Sequence, residues 1–483
     1  MKRMMLRLAK SLIIIMTTIV LLTFTSNHYL SANDAQKSQR AATHHQIIVI
    51  KDKHHAKPII KKITKKFPAL KLDFIKEIGV IQIEHHEKEV IDKAIKYIHT
   101  KYRKYIVQES EVTNPFDLDT MLTNQSNVDS NGPPRNLQGD PNVYYWQWGV
   151  NYVTEDKKSY SIAKGSNNVT IAILDSGIDM NHPDLVDNIV SPGRSFVPGE
   201  PTTMDYVGHG TEVAGIIAAN GNIMGVGPEI GIVPYKIFSR EGGRAFWMIK
   251  AIVEATNDRH KVLNISAGIY QSYNNKTGGA IVEAFRRAVD YANNRGSIIV
   301  NSAGNEGYNI DQIIREGEDD REVIRLPSVL PNVTTVGAST LERVPSPYSN
   351  YGTKVDLYAP GGSYGAIGHE DEFDLSFLLL TTYPTYLEQS AVARMIGLPQ
   401  GYDLDIGTSL ATPAVAATYA LVIQKLNEQR LIKTPRDIAD IVMETTVPLR
   451  ANDSAGRSVR MVNAYKALQY IENKLISQND GKF

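Results

Sequence analysis

Three short stretches of the chain carry a carboxylate, an imidazole and a hydroxyl in settings suited to proton transfer and nucleophilic attack. The apolar run Val169-Thr-Ile-Ala-Ile-Leu174 leads straight into Asp175-Ser-Gly-Ile-Asp179. This predicts a buried parallel strand with Asp175 at its carboxyl edge, where open α/β sheets build their sites. Gly208-His209-Gly210-Thr211 opens a small-residue helix, and the flanking glycines leave the imidazole room to approach another side chain. Gly407-Thr408-Ser409-Leu410-Ala411-Thr412-Pro413 enters an Ala-rich helix, so Ser409 sits at a helix amino end, where the dipole and free N–H groups favour an oxyanion. Pro413 is expected in the first turn, where its missing donor costs little. A fourth stretch, Asn301-Ser302-Ala303-Gly304-Asn305-Glu306-Gly307, sets the Asn305 amide between two glycines. A hydroxyl is a poor nucleophile until a neighbouring base takes its proton. Alone, Asp175 would read as a turn cap, His209 as structural and Asn305 as a turn residue; the weight lies in their joint presence.

The elements that must position these residues follow from periodicity. From residue 169 onward, β-rich runs at 169–174, 262–265, 297–301, 333–336 and 355–358 alternate with helical patterns at 245–257 and 278–293. Such alternation predicts an α/β fold, a parallel sheet covered by helices on both faces. Ahead of it, residues 46–106 read as strand 47–50, helix 57–67, strands 70–74 and 80–83, and helix 88–105, a small α+β domain. Residues 107–140 are rich in Asn, Asp, Ser, Gly and Pro without apolar periodicity, which predicts an exposed linker of the kind proteases cut.

With 483 residues, 42% hydrophobic and 22% charged, the chain has the composition of a soluble protein of more than one folded unit. Four positive charges precede an apolar run at 11–25 and then Leu30-Ser31-Ala32. This predicts a secretory signal at 1–32; the run falls short of the ~20 residues a spanning helix needs. There is no cysteine, so an exported protein must be held by its core without disulfides. The formal net charge of zero hides a division: residues 33–107 hold 17 Lys or Arg against 8 Asp or Glu, and residues 108–483 hold 31 against 44. The first unit is therefore basic and the second acidic. The acidity of the larger unit and the lack of aromatics among the basic residues argue against nucleic acid as a partner.

The Asp, His and Ser blocks in this order, with the Asn305 block, resemble the active-site motifs of the subtilisin family over roughly residues 143–468. The resemblance implies a secreted serine endopeptidase with a subtilisin-like three-layer fold and a mainly parallel sheet. It casts Ser409 as nucleophile, His209 as general base and then acid, and Asp175 as the group that orients the imidazole. Asn305 and the Ser409 N–H would form the oxyanion hole. Ser266-Ala267-Gly268 and Ser302-Ala303-Gly304 would bind substrate backbone and wall the first specificity pocket. No cofactor is required for that chemistry. Glu212 stands where many relatives have a second histidine, and the stretch 220–225 is shorter than the loop that supplies a strong calcium site in many of them, so a structural calcium ion is left open and the metal ligands are unknown. Segment 364–405 is longer than the family minimum and is expected to add a loop or lid near the site.

The resemblance extends to a division into signal (1–32), inhibitory and folding-assisting propeptide domain (33–107), linker (108–140) and catalytic domain (141–483). The charge difference would favour docking of the propeptide on the catalytic unit. Gly132-Pro133-Pro134-Arg135-Asn136 offers a self-cleavage point after Arg135. A Pro-Arg cut in a zymogen of this kind resembles the extracellular peptidases that remove the leader of lantibiotic precursors, with arginine then expected at the cut in the substrate and the acidic run 316–320 as a counter-charge. Arg325, beside Leu326-Pro327 at the rim of the pocket, would oppose a basic ligand if it points inward. Seven of twelve histidines fall in the pro-region (His44, His45, His54, His55, His85, His86 and His99), so acidification is expected to alter propeptide release. The competing readings are a broad-specificity extracellular subtilase and an inactive subtilase-fold binding module. The peptide substrate and the chain's own propeptide are the expected partners, with no stable membrane anchor after signal removal.

Overall fold

The structure, a computed structural model, describes residues 43–111, 137, 141–272, 278–316, 321–368 and 373–480. The expected signal segment and the expected cut between Arg135 and Asn136 lie outside them.

The small unit is a four-stranded antiparallel sheet, order β2-β3-β1-β4, built from β1 (His44–Ile50), β2 (Lys71–Ile75), β3 (Val80–His85) and β4 (Ile106–Glu111). Helices α1 (Ala56–Lys66) and α2 (Lys88–Tyr102) cover one face. Alternation along β1 sends Ile48 and Ile50 into this unit's own core, with Ile59, Ile63, Ile91 and Ile98. Ile47 and Val49 point the other way and join the core of the larger unit. β4 corrects the expected linker start: residues 108–111 pair with β1, Ile47 opposite Ser110 and Gln46 opposite Glu111. A run of Gln, Glu and Ser lacks the apolar signal of a strand, and tertiary pairing supplies what propensity does not.

In the larger unit, α3 (Pro141–Trp146) and α4 (Trp148–Thr154) lead to a nine-stranded sheet. Its strands run in the order β19-β20-β16-β15-β12-β10-β5-β7-β6, all parallel except β19. These are β5 (Thr170–Asp175), β6 (Arg194–Ser195), β7 (Gly231–Lys236), β10 (Val262–Ile265), β12 (Ile298–Ser302), β15 (Val333–Ser339), β16 (Leu357–Pro360), β19 (Val447–Asn452) and β20 (Ser458–Met461). A hairpin of β8 (Phe238–Ser239) and β9 (Gly242–Gly243) follows β7, while β11 (Ile269–Ser272), β13 (Ile314–Glu316) and β14 (Arg321–Leu326) make a separate antiparallel sheet, and β17 (Leu379–Thr382) and β18 (Tyr402–Asp405) a further hairpin. Helices α6 (Ala245–Asn257) and α7 (Gly279–Asn294) cover one sheet face. The other face carries α5 (His209–Ala218), α9 (Thr408–Glu428) and α11 (Ala464–Asp480). The hairpin loop holds α8 (Ala391–Met395), and α10 (Pro435–Glu444) follows α9.

From β5 the chain goes first to β6 and β7 on one side and then to β10 on the other, so strand order reverses at β5. The crevice this opens at the carboxyl ends of the strands is the place for a site. The small unit docks away from it, on α6 and α7. Arg287 donates to the carbonyls of Ile50 and Ile78 (2.7 and 2.9 Å), Lys250 pairs with Asp73 (2.6 Å), and Arg244 meets His45. The direct polar contacts thus run against the global charge, with the cations on the acidic unit. Apolar burial of Ile47, Val49, Ile75, Ile78 and Val80 supports the docking more than long-range attraction does.

Candidate active site

Asp175 ends β5 fully buried, and its Oδ1 accepts the Ser176 N–H at 2.7 Å and His209 Nδ1 at 2.8 Å. A carboxylate can only accept, so Nδ1 carries the proton and Nε2 is left as the basic nitrogen. The glycine after the histidine is required by close approach. A Cβ on Gly210 would lie 2.0 Å from the Gly177 carbonyl oxygen, so only glycine lets the first turn of α5 seat on the turn that follows Asp175. The Gly210 N–H donates to Ser176 Oγ (2.8 Å), which in turn donates to Asp205 (2.9 Å). Asp205 also accepts the N–H groups of Val207, Gly208 and Thr211 and the Thr211 hydroxyl, which closes the amino end of α5 around one buried carboxylate.

Ser409 opens α9 and is 1% exposed. Pro413 is not in the first turn as expected: α9 begins at Thr408, so Pro413 is its sixth residue and cannot supply the N–H that the Ser409 carbonyl would receive. The Ser266 hydroxyl donates there instead, at 2.7 Å, and is itself held by Asn264 Nδ2 (3.0 Å). Asn305 is clamped by the same turn. Its Oδ1 accepts both the Thr408 N–H (2.9 Å) and the Thr408 hydroxyl (2.8 Å), which fixes the amide orientation and points its NH2 group away from the helix.

Ser266-Ala267-Gly268 and Ser302-Ala303-Gly304 leave adjacent strands β10 and β12 and flank Ser409, tied together by Asn301, which donates to the carbonyls of Ile265 and Ala267 (2.7 and 2.8 Å). The Gly304 N–H donates to the Thr408 hydroxyl at 3.2 Å. The four blocks lie together at the carboxyl edge of the sheet. Arg325 points inward, buried beside both glycine segments. The expected acidic counter-charge at 316–320 lies largely outside the described residues.

Glu212 follows His209 by one turn of α5. Burial, with Asp405, Asp403, Asp205 and Asp175 around it, holds its carboxyl well above the usual range and favours the neutral form. The segment expected as a loop or lid near the site packs against α5 and braces it. Thr381 and Thr382 of β17 donate to the carbonyls of Glu212 and Thr211 (2.6 and 2.7 Å), Thr385 donates to Asp179, and the Tyr386 hydroxyl donates to the Asp205 carbonyl (3.0 Å). In the shortened loop 220–225, Asp184 accepts the N–H groups of Asn222 and Ile223, both at 3.0 Å. Donors thus converge where a cation would need acceptors. No cluster of three or more His, Cys, Asp or Glu suited to a metal occurs among the described residues.

Two residues that the motifs did not mark belong to the site's support. Asp205 stands four positions before His209, and only its distance from a motif could have signalled it. Lys236, fully buried at the end of β7, sits opposite Asp175 in register and donates to the Ser176 carbonyl and to the Met204 carbonyl (2.9 Å). A lysine closing an apolar strand was the available signal.

A sheet reversing at β5, an acid–imidazole pair and a serine at a helix start define a class, and the subtilase family model matches residues 166–468. The chain belongs to that family, and its fold is subtilisin-like. Among its relatives is the nisin leader peptide-processing serine protease of Lactococcus lactis subsp. lactis, 32% identical over 345 residues that cover 64% of this chain and 47% of that protein. The chain therefore spans about half the length of that relative. The crystal structure of a lanthipeptide protease is similar at a TM-score of 0.63 with 34% identity, covering 71% of this chain and all of that one. The epidermin leader peptide processing serine protease of Staphylococcus aureus reaches 0.70 with 26% identity, covering 89% of this chain and 98% of its own.

Proposed function

We propose that the protein hydrolyses one peptide bond in a ribosomally made precursor, removing the leader of a lantibiotic-type peptide, through Ser409, His209 and Asp175. The observation that carries this reading is the Asp175–His209 hydrogen bond at 2.8 Å in a crevice that also holds Ser409 and the clamped Asn305. His209 Nε2 takes the Ser409 proton as Oγ forms a bond to the substrate carbonyl carbon. Negative charge on the carbonyl oxygen meets the Asn305 amide and the Ser409 N–H. The C–N bond then breaks as His209 returns the proton to the departing amine, leaving an acyl-enzyme. Water repeats the sequence, giving the acid and restoring the serine. Asp175 stays ionised throughout and steadies the imidazolium.

The names of the relatives support a leader peptide as substrate. The docked small unit supports a zymogen, in which residues 33–107 plus β4 serve as propeptide, and the apolar run at 11–25 supports export. Among the described residues no helix is long and apolar enough to cross a membrane. The finer expectation, cleavage after Pro-Arg with Arg135 as the self-cleavage point, is opposed by the inward position of Arg325. Purified wild-type zymogen is expected to shorten to a stable product, while Ser409→Ala stays full length. Given a modified precursor peptide, wild type should cut a single bond. Retention of the pro-region by wild type, or shortening of Ser409→Ala at the same rate, would overturn the reading.

A further inference from the structure

We propose that Lys236 is a positioning residue of the triad: its ammonium ties together the segments that carry Asp175 and His209, and its charge opposes protonation of the imidazole. This deepens the peptidase reading and rests on His209 being the general base.

Lys236 closes β7 across from Asp175 on β5, and the next residue, Ile237, donates its N–H to the Asp175 carbonyl at 2.8 Å. The lysine is fully buried. Its ammonium has three donors, and three acceptors surround it: the Ser176 carbonyl, the Met204 carbonyl at 2.9 Å and the Glu200 carboxylate at 3.1 Å. Ser176 follows the catalytic acid, and Met204 precedes Asp205, whose carboxylate closes the start of α5. The two segments also touch directly. The Ile178 N–H donates to the Thr203 carbonyl at 3.0 Å, and a Cβ on Gly177 would stand 2.3 Å from that oxygen. Ser176 is held through its N–H by Asp175, through its carbonyl by Lys236, and through its hydroxyl by Gly210 and Asp205. It thus joins the acid to the first turn of the histidine helix, and Lys236 fixes the joint. Without the ammonium, two carbonyls and a carboxylate would share a buried space with no donor, which drives the two segments apart.

The charges around His209 give the second half of the argument its sign. Asp175 is 2.8 Å away, Asp205 closes the same helix turn, and Glu212, one turn on, has Asp403 and Asp405 of β18 beside it. Every ionised carboxylate in this group favours the imidazolium. Tyr383 packs over Gly208 and Tyr386 reaches the Asp205 carbonyl; burial pushes both phenols above their ordinary range, so they stay neutral where an imidazole titrates. Arg240 donates to the Tyr206 carbonyl, but it is exposed and water screens its field. Lys236, over the Tyr206 ring at 5.2 Å, is buried, so its field is not screened and works against a proton on Nε2. Glu200, a quarter exposed, offsets part of that field.

The test reads the protonation of His209 in two ways. Proton NMR of its Nδ1–H in the full-length Ser409→Ala chain follows the imidazole without turnover, and the acid limb of kcat/KM follows it in the mature enzyme. Lys236→Met should raise both midpoints by about half a pH unit and lower the plateau kcat roughly 10- to 100-fold through misplacement of the pair. Glu200→Gln keeps an acceptor for the ammonium but removes the offsetting charge, so its midpoints should move down, by a smaller step. A purely structural lysine would cost activity and stability with the midpoints unmoved. A Lys236→Met midpoint no higher than the parent's, or a Glu200→Gln midpoint that does not fall, overturns the proposal. If Lys236→Met does not fold, Glu200→Gln decides it. If wild type cuts no peptide, the peptidase reading fails, and the NMR midpoints still decide whether the lysine acts on His209.

Discussion

The Ser266 hydroxyl donates to the Ser409 carbonyl, 2.7 Å away, at the acceptor that Pro413 four residues on cannot serve. A proline in the second turn of the serine helix leaves a buried carbonyl without its helical donor. A side chain from the strand on the far side of the crevice fills the vacancy and fastens the helix to the substrate wall.

Ser266→Ala should therefore destabilise the fold by about 1–3 kcal/mol, the range for a buried polar group stripped of its partner. In a Pro413→Ala background the helix can supply its own N–H, and the same substitution should cost markedly less. Urea unfolding of the four combinations, built on Ser409→Ala to prevent self-digestion, measures the coupling. Equal penalties in both backgrounds would show that the hydroxyl serves some other partner.

Asn305→Ala should lower kcat roughly 100- to 1000-fold with little change in KM, because the amide acts on charge that appears only in the transition state. Thr408→Val should produce a smaller fall in kcat, since the Thr408 N–H still holds Asn305 Oδ1 after the hydroxyl is gone. Steady-state kinetics on a peptide cut by wild type would resolve the two. A KM effect alone would place Asn305 in ground-state binding.

The site was legible in the sequence where a motif carries its own geometry. Asp175 at the end of an apolar run, His209 between glycines and Ser409 at an Ala-rich helix start all lie where local pattern placed them, because each marks the junction of a strand or helix with the carboxyl edge of the sheet. The sheet core was legible for the same reason: strands such as β5 and β12 carry short apolar runs, 171–174 and 298–300. What was not legible depends on contacts between distant segments. Nothing in Gln108-Glu-Ser-Glu111 announces a strand until β1 is beside it. Nothing within 379–386 shows that it braces α5 rather than covering the site, and the second-turn position of Pro413 matters only once Ser266 is known to lie opposite. The direction of Arg325 follows from the packing of β14 against two glycine segments far from it in sequence.

Asp205→Ala should unfold the amino end of α5, since one buried carboxylate there receives five hydrogen bonds from Ser176, Val207, Gly208 and Thr211. A loss of at least about 3 kcal/mol is expected, as charged hydrogen bonds are worth more than neutral ones and their donors are left buried. Asp205→Asn keeps one acceptor oxygen and should lose less. Thermal unfolding, again on Ser409→Ala, reads the stability. Hydrogen exchange at 209–213 would show whether the damage is confined to the histidine turn, and a variant as stable as the parent would remove Asp205 from the support of the site.

Among the pro-region histidines, His45 offers a pH-dependent contact with a definite sign. It is buried at the docking face beside Arg244, with Lys71 and His44 adding positive charge and Glu84 at 3.7 Å opposing them. Burial first, then these cations, lowers its pKa from 6.5 to about 4. Docking contributes the Arg244 charge and part of the burial, while Lys71 and His44 act within the small unit itself, so docking adds to the fall and His45 binds its proton less readily in the docked state. The docked state therefore incurs no penalty above pH 6.5, weakens by up to about tenfold per pH unit as pH falls from 6.5 toward 4, and loses nothing further below that. Because carboxylates titrate over the same interval, the comparison has to be with His45→Gln, which cannot take the proton. Protection of β1 and β3 from hydrogen exchange in the full-length Ser409→Ala chain should drop between pH 7 and pH 4.5, and drop less in His45→Gln. Parallel loss in the two proteins would mean that acid release of the small unit is driven by other groups.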